Sequence, residues 1–236
     1  MLDTEAARRE YVKFYAYLNK LADGHVVTVL NTLEETGLLD KTIILRLADH
    51  GEGGLSHGMR EKAYTVYEEM IHIPLIVHNP KPFPEPLETD AFYDHLDLLP
   101  TLLDLAGVER PESYALGKSI VPVIRDPSKS AHSFTTFSYD DLMILPPSFP
   151  GGHIRAVREG DWTYAVYFGL DGSGLDYELY NIKSDPGQLH NLLYQRPAPT
   201  DVKKEWLRLH RLLTARLVEV ANLPDSFSWP IEPVGV

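Results

Sequence analysis

Between residues 49 and 62 the chain reads DHGEGGLSHGMREK, which gathers Asp49, His50, Glu52, His57 and Lys62 into one short polar stretch. A carboxylate and an imidazole side by side are suitable ligands for Zn, Mn or Fe, whereas Ca and Mg prefer oxygen. Both can reach one ion if the chain has left its strand by residue 49, because strand periodicity then no longer sends neighbours to opposite faces. Two ligands do not fill a coordination sphere, so others must come from elsewhere. His57 and Lys62 are donors that can bind an oxyanion, and a lysine near a metal would help neutralise a dianionic ester and its leaving oxygen. The competing reading is ordinary: Asp49 caps a turn, His50 is a satisfied loop histidine, and His57 and Lys62 are solvated.

The elements on either side favour a site. TIILRLA, Thr42 to Ala48, is short and rich in branched aliphatics, the pattern of a strand buried on both faces of a parallel sheet. Polar residues begin abruptly at its carboxyl end, where open α/β sheets bind ligands. A second apolar strand is expected from Ile73 to His78. Upstream, from Thr4 to about Leu39, Tyr11, Phe14, Tyr15, Leu18 and Leu21 and then Val26, Val29, Leu30 and Leu33 follow a helical spacing, so one long helix packed on the sheet is expected. Gly24 weakens its middle, with a bend near Asp23-Gly24 as one outcome, and Gly37 is well placed to end it.

Downstream, NPKPFPEPLETD holds four prolines and must be an irregular surface loop. In YDHLDLLPTLLDLAGVERP, Asp97 before Pro100 marks a helix start, and Gly107 followed by Pro111 marks its end. A short amphipathic piece, Ile120 to Ile124, follows. From about Ser130 the pattern changes to short aromatic and β-branched runs, HSFTTFSY, HIRAVREG, WTYAVYFG and DYELYNI, which read as neighbouring antiparallel strands. Asp201 to Ala221 then carries Val202, Trp206, Leu209, Leu213, Leu217 and Val220 as a helical stripe that should pack on that small sheet. The fold class expected is α/β: part of a mixed, mainly parallel sheet with flanking helices over residues 1–128, then a small antiparallel sheet and a C-terminal helix over residues 129–236.

The chain of 236 residues is long enough to bury a core, and 44% hydrophobic with 24% charged residues is ordinary for a globular protein. Thirty-four acidic against 22 basic residues give a net charge of −12, which argues against nucleic acid as a partner. With no cysteine, disulfides, thiolate metal sites and cysteine-derived nucleophiles are excluded from this sequence. No run is apolar enough to span a membrane, and MLDTEAARREYVKF contains no apolar signal region, which favours the cytoplasm.

Asp49-His50-Gly51-Glu52, with His57, Lys62, the Tyr67-Glu68-Glu69 segment and the Ile73-Pro74-Leu75-Ile76 strand, resembles the C-terminal metal and substrate loop of the sulfatase family, part of the alkaline phosphatase superfamily. Three further segments are similar in order: LEETGLLDKT resembles the helix end before this strand, HLDLLPTLLDLAG the following D-x-x-P-T helix, and ELYNIKSDPGQLHNL the late E-L-Y, D-P, N-L turn. The resemblance implies that Asp49 and His50 are metal ligands for a divalent ion, Ca or Mn, and that His57 and Lys62 are catalytic and substrate-binding, contacting the sulfate or phosphate group and assisting departure of the leaving group. It gives Glu52 no role and makes Tyr67 and Glu68 positioning groups; His95 and Asp97 sit in a family motif but read as structural, Asp97 as a helix cap and His95 as a packing or turn residue. His25, His72, His78, His132, His153, His190 and His210 are read as ordinary structural or surface histidines.

Sulfatases make their nucleophile, a formylglycine, from Cys or Ser in a C/S-x-P-x-R motif near the start of the full-length fold, together with two more acidic ligands. This sequence contains no such motif. The order of the matching segments implies the later half of a family member, inactive by itself. The function implied is metal-dependent hydrolysis of a small-molecule sulfate ester; a phosphonate or phosphate ester is the alternative, because a His in the second ligand position also occurs in relatives that cleave phosphorus esters. A reading from another class is a non-catalytic truncated fragment that oligomerises, or pairs with a chain bearing the missing N-terminal half, through an exposed sheet edge.

Overall fold

The computed structural model describes residues 4–62, 64–83, 85–109, 116–140, 152–169, 174–194, 197–223, 228–230 and 232–233. Two compact units emerge, one of Met1–Ala63 with Tyr67–Leu87, the other of Tyr64–Val66 with Glu88–Val236. The change of pattern near residue 129 marks the entry to the antiparallel sheet, whereas the boundary between units falls at residue 87.

In the first unit, helix α1 spans Glu5–Glu35 without interruption at Gly24, and the Thr4 hydroxyl caps it by accepting from the Ala7 N–H. Its end is a Schellman turn: Gly37, with φ of +68°, donates to Glu34 O, and Leu38 donates to Leu33 O. Strands β1, Ile44–Leu47, and β2, Leu75–His78, form an antiparallel two-stranded sheet pairing Ile44 with His78 and Leu47 with Leu75. The short helix α2, Glu68–Ile71, precedes β2.

Several expectations change here. The strands are shorter than their apolar runs. The ladder is antiparallel, with no parallel pairing among the described residues. β1 is half-buried rather than buried on both faces, since Arg46 points to solvent and meets Asp23 of α1. Helix α1 buries none of its residues fully: Tyr11, Val26, Leu30 and Leu33 are half-buried, and it is tied to the rest of the unit by the Arg46–Asp23 pair and by a Tyr11 hydrogen bond. Met70 is the one buried hydrophobic residue of this unit among the described residues.

The second unit has a substantial core. A 3-10 turn at His95–Asp97 leads into α3, Leu98–Leu105, and α4 follows at Val121–Arg125. Four strands, β3 Phe134–Asp140, β4 Gly152–Glu159, β5 Trp162–Gly169 and β6 Asp176–Asn181, lie antiparallel in sequence order. Helix α5, Thr200–Glu219, lays Trp206, Leu209, Leu213 and Leu217 against Val157, Tyr164, Val166 and Leu179 of that sheet, as its stripe predicts. Gly107 ends α3 with φ of +67°; Pro111 lies outside the described residues. No described helix is long and apolar enough to cross a membrane.

Candidate metal and anion site at the end of β1

After Leu47 the chain is captured by the backbone of α2. Gly51 donates to Met70 O and Glu52 to Glu69 O, both at 2.8 Å. The approach is close enough that a Cβ on Gly51 would sit 2.0 Å from Glu69 O, so only glycine allows it. The loop then folds back on itself through Gly53 N–H to Glu61 O at 3.0 Å and Leu55 N–H to Met59 O at 2.8 Å. Leu55, His57 and Glu61 all have positive φ, at a cost of about 1–2 kcal/mol each that the surrounding bonds must outweigh.

Glu52 is the organiser of this loop. One carboxylate oxygen accepts from the Glu61 N–H at 2.6 Å, the Tyr11 hydroxyl at 3.0 Å and the Gly54 N–H at 3.4 Å. Burial raises the pKa of the Tyr11 hydroxyl, and the bond to Glu52 raises it further, so the phenol remains a donor. Sequence reasoning gave Glu52 no role. Its partner on α1 lies 41 residues away, and no local pattern announces such a bond.

Asp49, His50 and Lys62 are brought together. His50 Nδ1 lies 2.8 Å from Gly51 O, and Lys62 Nζ lies 2.7 Å from His50 Nε2. A carbonyl only accepts and an ammonium only donates, so Nδ1 carries the imidazole proton and Nε2 presents its lone pair. Asp49 Oδ2 is 3.4 Å from that same Nε2, while Asp49 Oδ1 accepts from the His50 N–H at 3.0 Å. The Asp49 carboxyl is held below its usual range: desolvation pushes it up, but backbone N–H groups, that of His50 first, and the Lys62 ammonium outweigh that push.

Two atoms bound to one ion at about 2.1–2.4 Å, subtending roughly a right angle or a little more, stand about 3–4 Å apart. The separation of Asp49 Oδ2 and His50 Nε2 falls in that range. An Nδ1–H fixed on a backbone carbonyl is also the usual device for aiming Nε2 at a metal. These two residues therefore fit a divalent ion as a pair. Among the described residues no third His, Cys, Asp or Glu joins them.

His57 is not bonded to the other three. Its ring stacks on Tyr67 at 3.6 Å between centroids and 3° between planes, and its buried Nε2 has no hydrogen-bond partner among the described residues. A buried polar atom without a partner leaves room for a ligand oxygen. Tyr67 thus has a positioning contact, made to His57. Glu68 lies near the His72 ring, at 3.2 Å.

Asp97, His132, His153 and His210 are held in bonds within the second unit. Asp97 is fully buried, and its carboxylate accepts from the Asp94 N–H, the Lys118 N–H and His132 Nε2 at the start of α3. His153 bonds Asp140, and His210 lies in the α5 core.

Residues 2–108 match the family profile described as Sulfatase. The delta 4,5-hexuronate-2-O-sulfatase of Bacteroides thetaiotaomicron is 34% identical over 187 residues, which cover 78% of this chain and 37% of that protein. A solved 2-O GAG sulfatase superposes with a TM-score of 0.78 at 31% identity, covering 93% of this chain and 45% of the other. The phosphonate monoester hydrolase of Agrobacterium radiobacter shares the fold, with a TM-score of 0.64 at 21% identity over 82% of this chain and 39% of its own. The chain thus spans less than half the length of the proteins it matches. The strand-end loop, the matched segment and the shared fold together make this chain a member of the sulfatase family.

Proposed function

We propose that the loop from Asp49 to Lys62 forms one side of a metal-dependent sulfuric ester hydrolase centre. The observation that carries this reading is the convergence of the Asp49 carboxylate, the His50 Nε2 lone pair and the Lys62 ammonium at the end of β1. Asp49 and His50 would hold a divalent cation, Ca or Mn, which when bound supplies a Lewis acid for an ester oxygen. Lys62 carries a donor on a flexible stem and would neutralise charge on the sulfate and its leaving oxygen. His57, held flat against Tyr67, would donate from Nε2 to a sulfate oxygen or to the departing alkoxide.

The nucleophile is not in this sequence, which has no cysteine and no S-x-P-x-R. The chain alone is therefore inactive, and turnover needs a polypeptide segment that supplies the nucleophile and the remaining acidic ligands. The relative named for hexuronate 2-O-sulfate makes a sulfated uronic sugar the first substrate to try. The chain should be assayed alone, then mixed with a polypeptide bearing the C/S-x-P-x-R half, against that sugar, an aryl sulfate and an aryl phosphate diester, with Mn or Ca. Turnover of a sulfate by the mixture only, reduced at least about 100-fold by Asp49→Ala or Lys62→Ala, is the expected result. Faster turnover of the phosphate diester would favour the phosphorus-ester reading, and no turnover in any mixture would overturn both.

One observation favours a second, non-catalytic reading of the chain as it stands. Phe14, Tyr17, Leu18 and Leu21 form an i, i+3, i+4, i+7 stripe on α1 that is 59%, 55%, 44% and 43% exposed. Such a stripe is the mark of an association surface, and a fragment that only pairs or oligomerises through it would give no turnover with any partner.

A further inference from the structure

An imidazole nitrogen has one lone pair, and at His50 two claims fall on it. With Nδ1–H given to Gly51 O, Nε2 is the ring's only remaining acceptor, and Lys62 Nζ holds it at 2.7 Å. This is a short, charge-assisted contact. Among the described residues Lys62 has no other hydrogen-bond partner. Its neighbour Glu61 is pinned at the backbone by Glu52 Oε1 and by the Gly53–Glu61 bond, so the root of the lysine is fixed while its four-carbon stem is free to swing.

We infer that Lys62 is an internal competitor for the metal. Its ammonium occupies the Nε2 lone pair of His50 until a divalent ion takes that lone pair, and the arrival of the ion releases the ammonium toward the anionic group of the ester. This rests on the reading of Asp49 and His50 as ligands, and it gives Lys62 a task before substrate arrives. One residue then serves in sequence as guard of the ligand and as anion donor, so metal loading arms the loop for the ester. No proton is gained or lost in the exchange: the lysine stays an ammonium, and the imidazole keeps its Nδ1–H.

The test follows the imidazole signals of His50 by NMR in the full chain while Mn is added, because paramagnetic broadening reports weak binding that calorimetry would miss. Wild type is compared with Lys62→Met and with Arg60→Met, which removes an exposed charge from the same loop without touching His50. About 0.5 M KCl screens through-space repulsion while leaving a contact-distance competition intact. Lys62→Met should reach half-broadening at about tenfold lower Mn than wild type, since a hydrogen bond to a charged group is lost as a competitor. Arg60→Met should match wild type.

Broadening of His50 at the same Mn concentration in wild type and Lys62→Met would overturn the competition while leaving the ligand assignment standing. Equal gains in Lys62→Met and Arg60→Met would overturn it too, by reducing the effect to net charge. No broadening of His50 in any of the three would overturn the ligand assignment along with it. A Ca titration supplies a second readout: the Lys62 ε-methylene resonances should move in step with those of His50, and a still lysine beside a shifting histidine would count against release.

Discussion

Glu52 stands among the candidate ligands in the sequence, yet its carboxylate holds the loop rather than a metal. Removing it in Glu52→Ala would leave the Glu61 N–H and the Tyr11 hydroxyl without their acceptor, at an expected cost of about 1–3 kcal/mol. Thermal unfolding should show this loss, and Glu52→Gln, which keeps one acceptor oxygen, should lose less. Tyr67→Phe should preserve the stack on His57, whereas Tyr67→Ala should free the ring and weaken turnover more than stability. Asp49, His50, His57 and Lys62 stood out in the sequence because their chemistry is unusual at the end of an apolar strand. Tyr67 was read as a positioning group, but the Glu52 bonds that hold the loop were not readable, since they depend on a fold-back of the chain and on α1, which local pattern does not encode.

At the scale of elements, the start of α3 and the far side of α5 carry the sharper tests. Asp97 is fully buried and serves two backbone donors and His132, so Asp97→Ala should cost about 3 kcal/mol or more, measured by denaturant unfolding. The helix start was legible from Asp97 and Pro100, but the His132 partner lies 35 residues on and was not.

His210, on α5, accepts the Tyr164 hydroxyl at Nδ1 and donates from Nε2 to Pro230 O, with its ring stacked on Trp229. Burial lowers its pKa, opposed by the Pro230 carbonyl and Glu232. The unfolded chain therefore takes up this proton first as pH falls. The stability that neutral His210 contributes is complete above about pH 6.5 and is lost as pH drops through its lower folded value. The melting temperature of wild type should fall between pH 7 and pH 5 more steeply than that of His210→Gln. Equal slopes would remove His210 from the account. The helical stripe of α5 and the four strands of its sheet were readable because the stripe and the sheet side chains bury one another within the chain, so period and burial agree.

For the molecule as a whole the two units differ in how much apolar surface they bury. The second has a core of strand and helix side chains; the first buries one hydrophobic side chain among its described residues while its long helix keeps an apolar stripe in water. A cover over the α1 stripe would add apolar burial to the first unit. The apolar period of α1 was read correctly, yet only Tyr11, Val26, Leu30 and Leu33 of its expected face are half-buried, while Phe14, Leu18 and Leu21 stay exposed. Sedimentation of the purified chain should show association that weakens in the double variant Phe14→Lys with Leu21→Lys, while helix content by circular dichroism stays constant. A monomer in both cases would set aside the stripe as an association surface.

The tight seat of Gly51 against the α2 backbone has its own consequence for anyone surveying this gene by exhaustive substitution. A methyl group there has nowhere to go except through the carbonyl of Glu69, so every replacement would shift the turn that carries Asp49 and His50. Ranked by fitness alone, position 51 would look like a reacting group, although a residue with no side chain can lend an ester nothing but clearance.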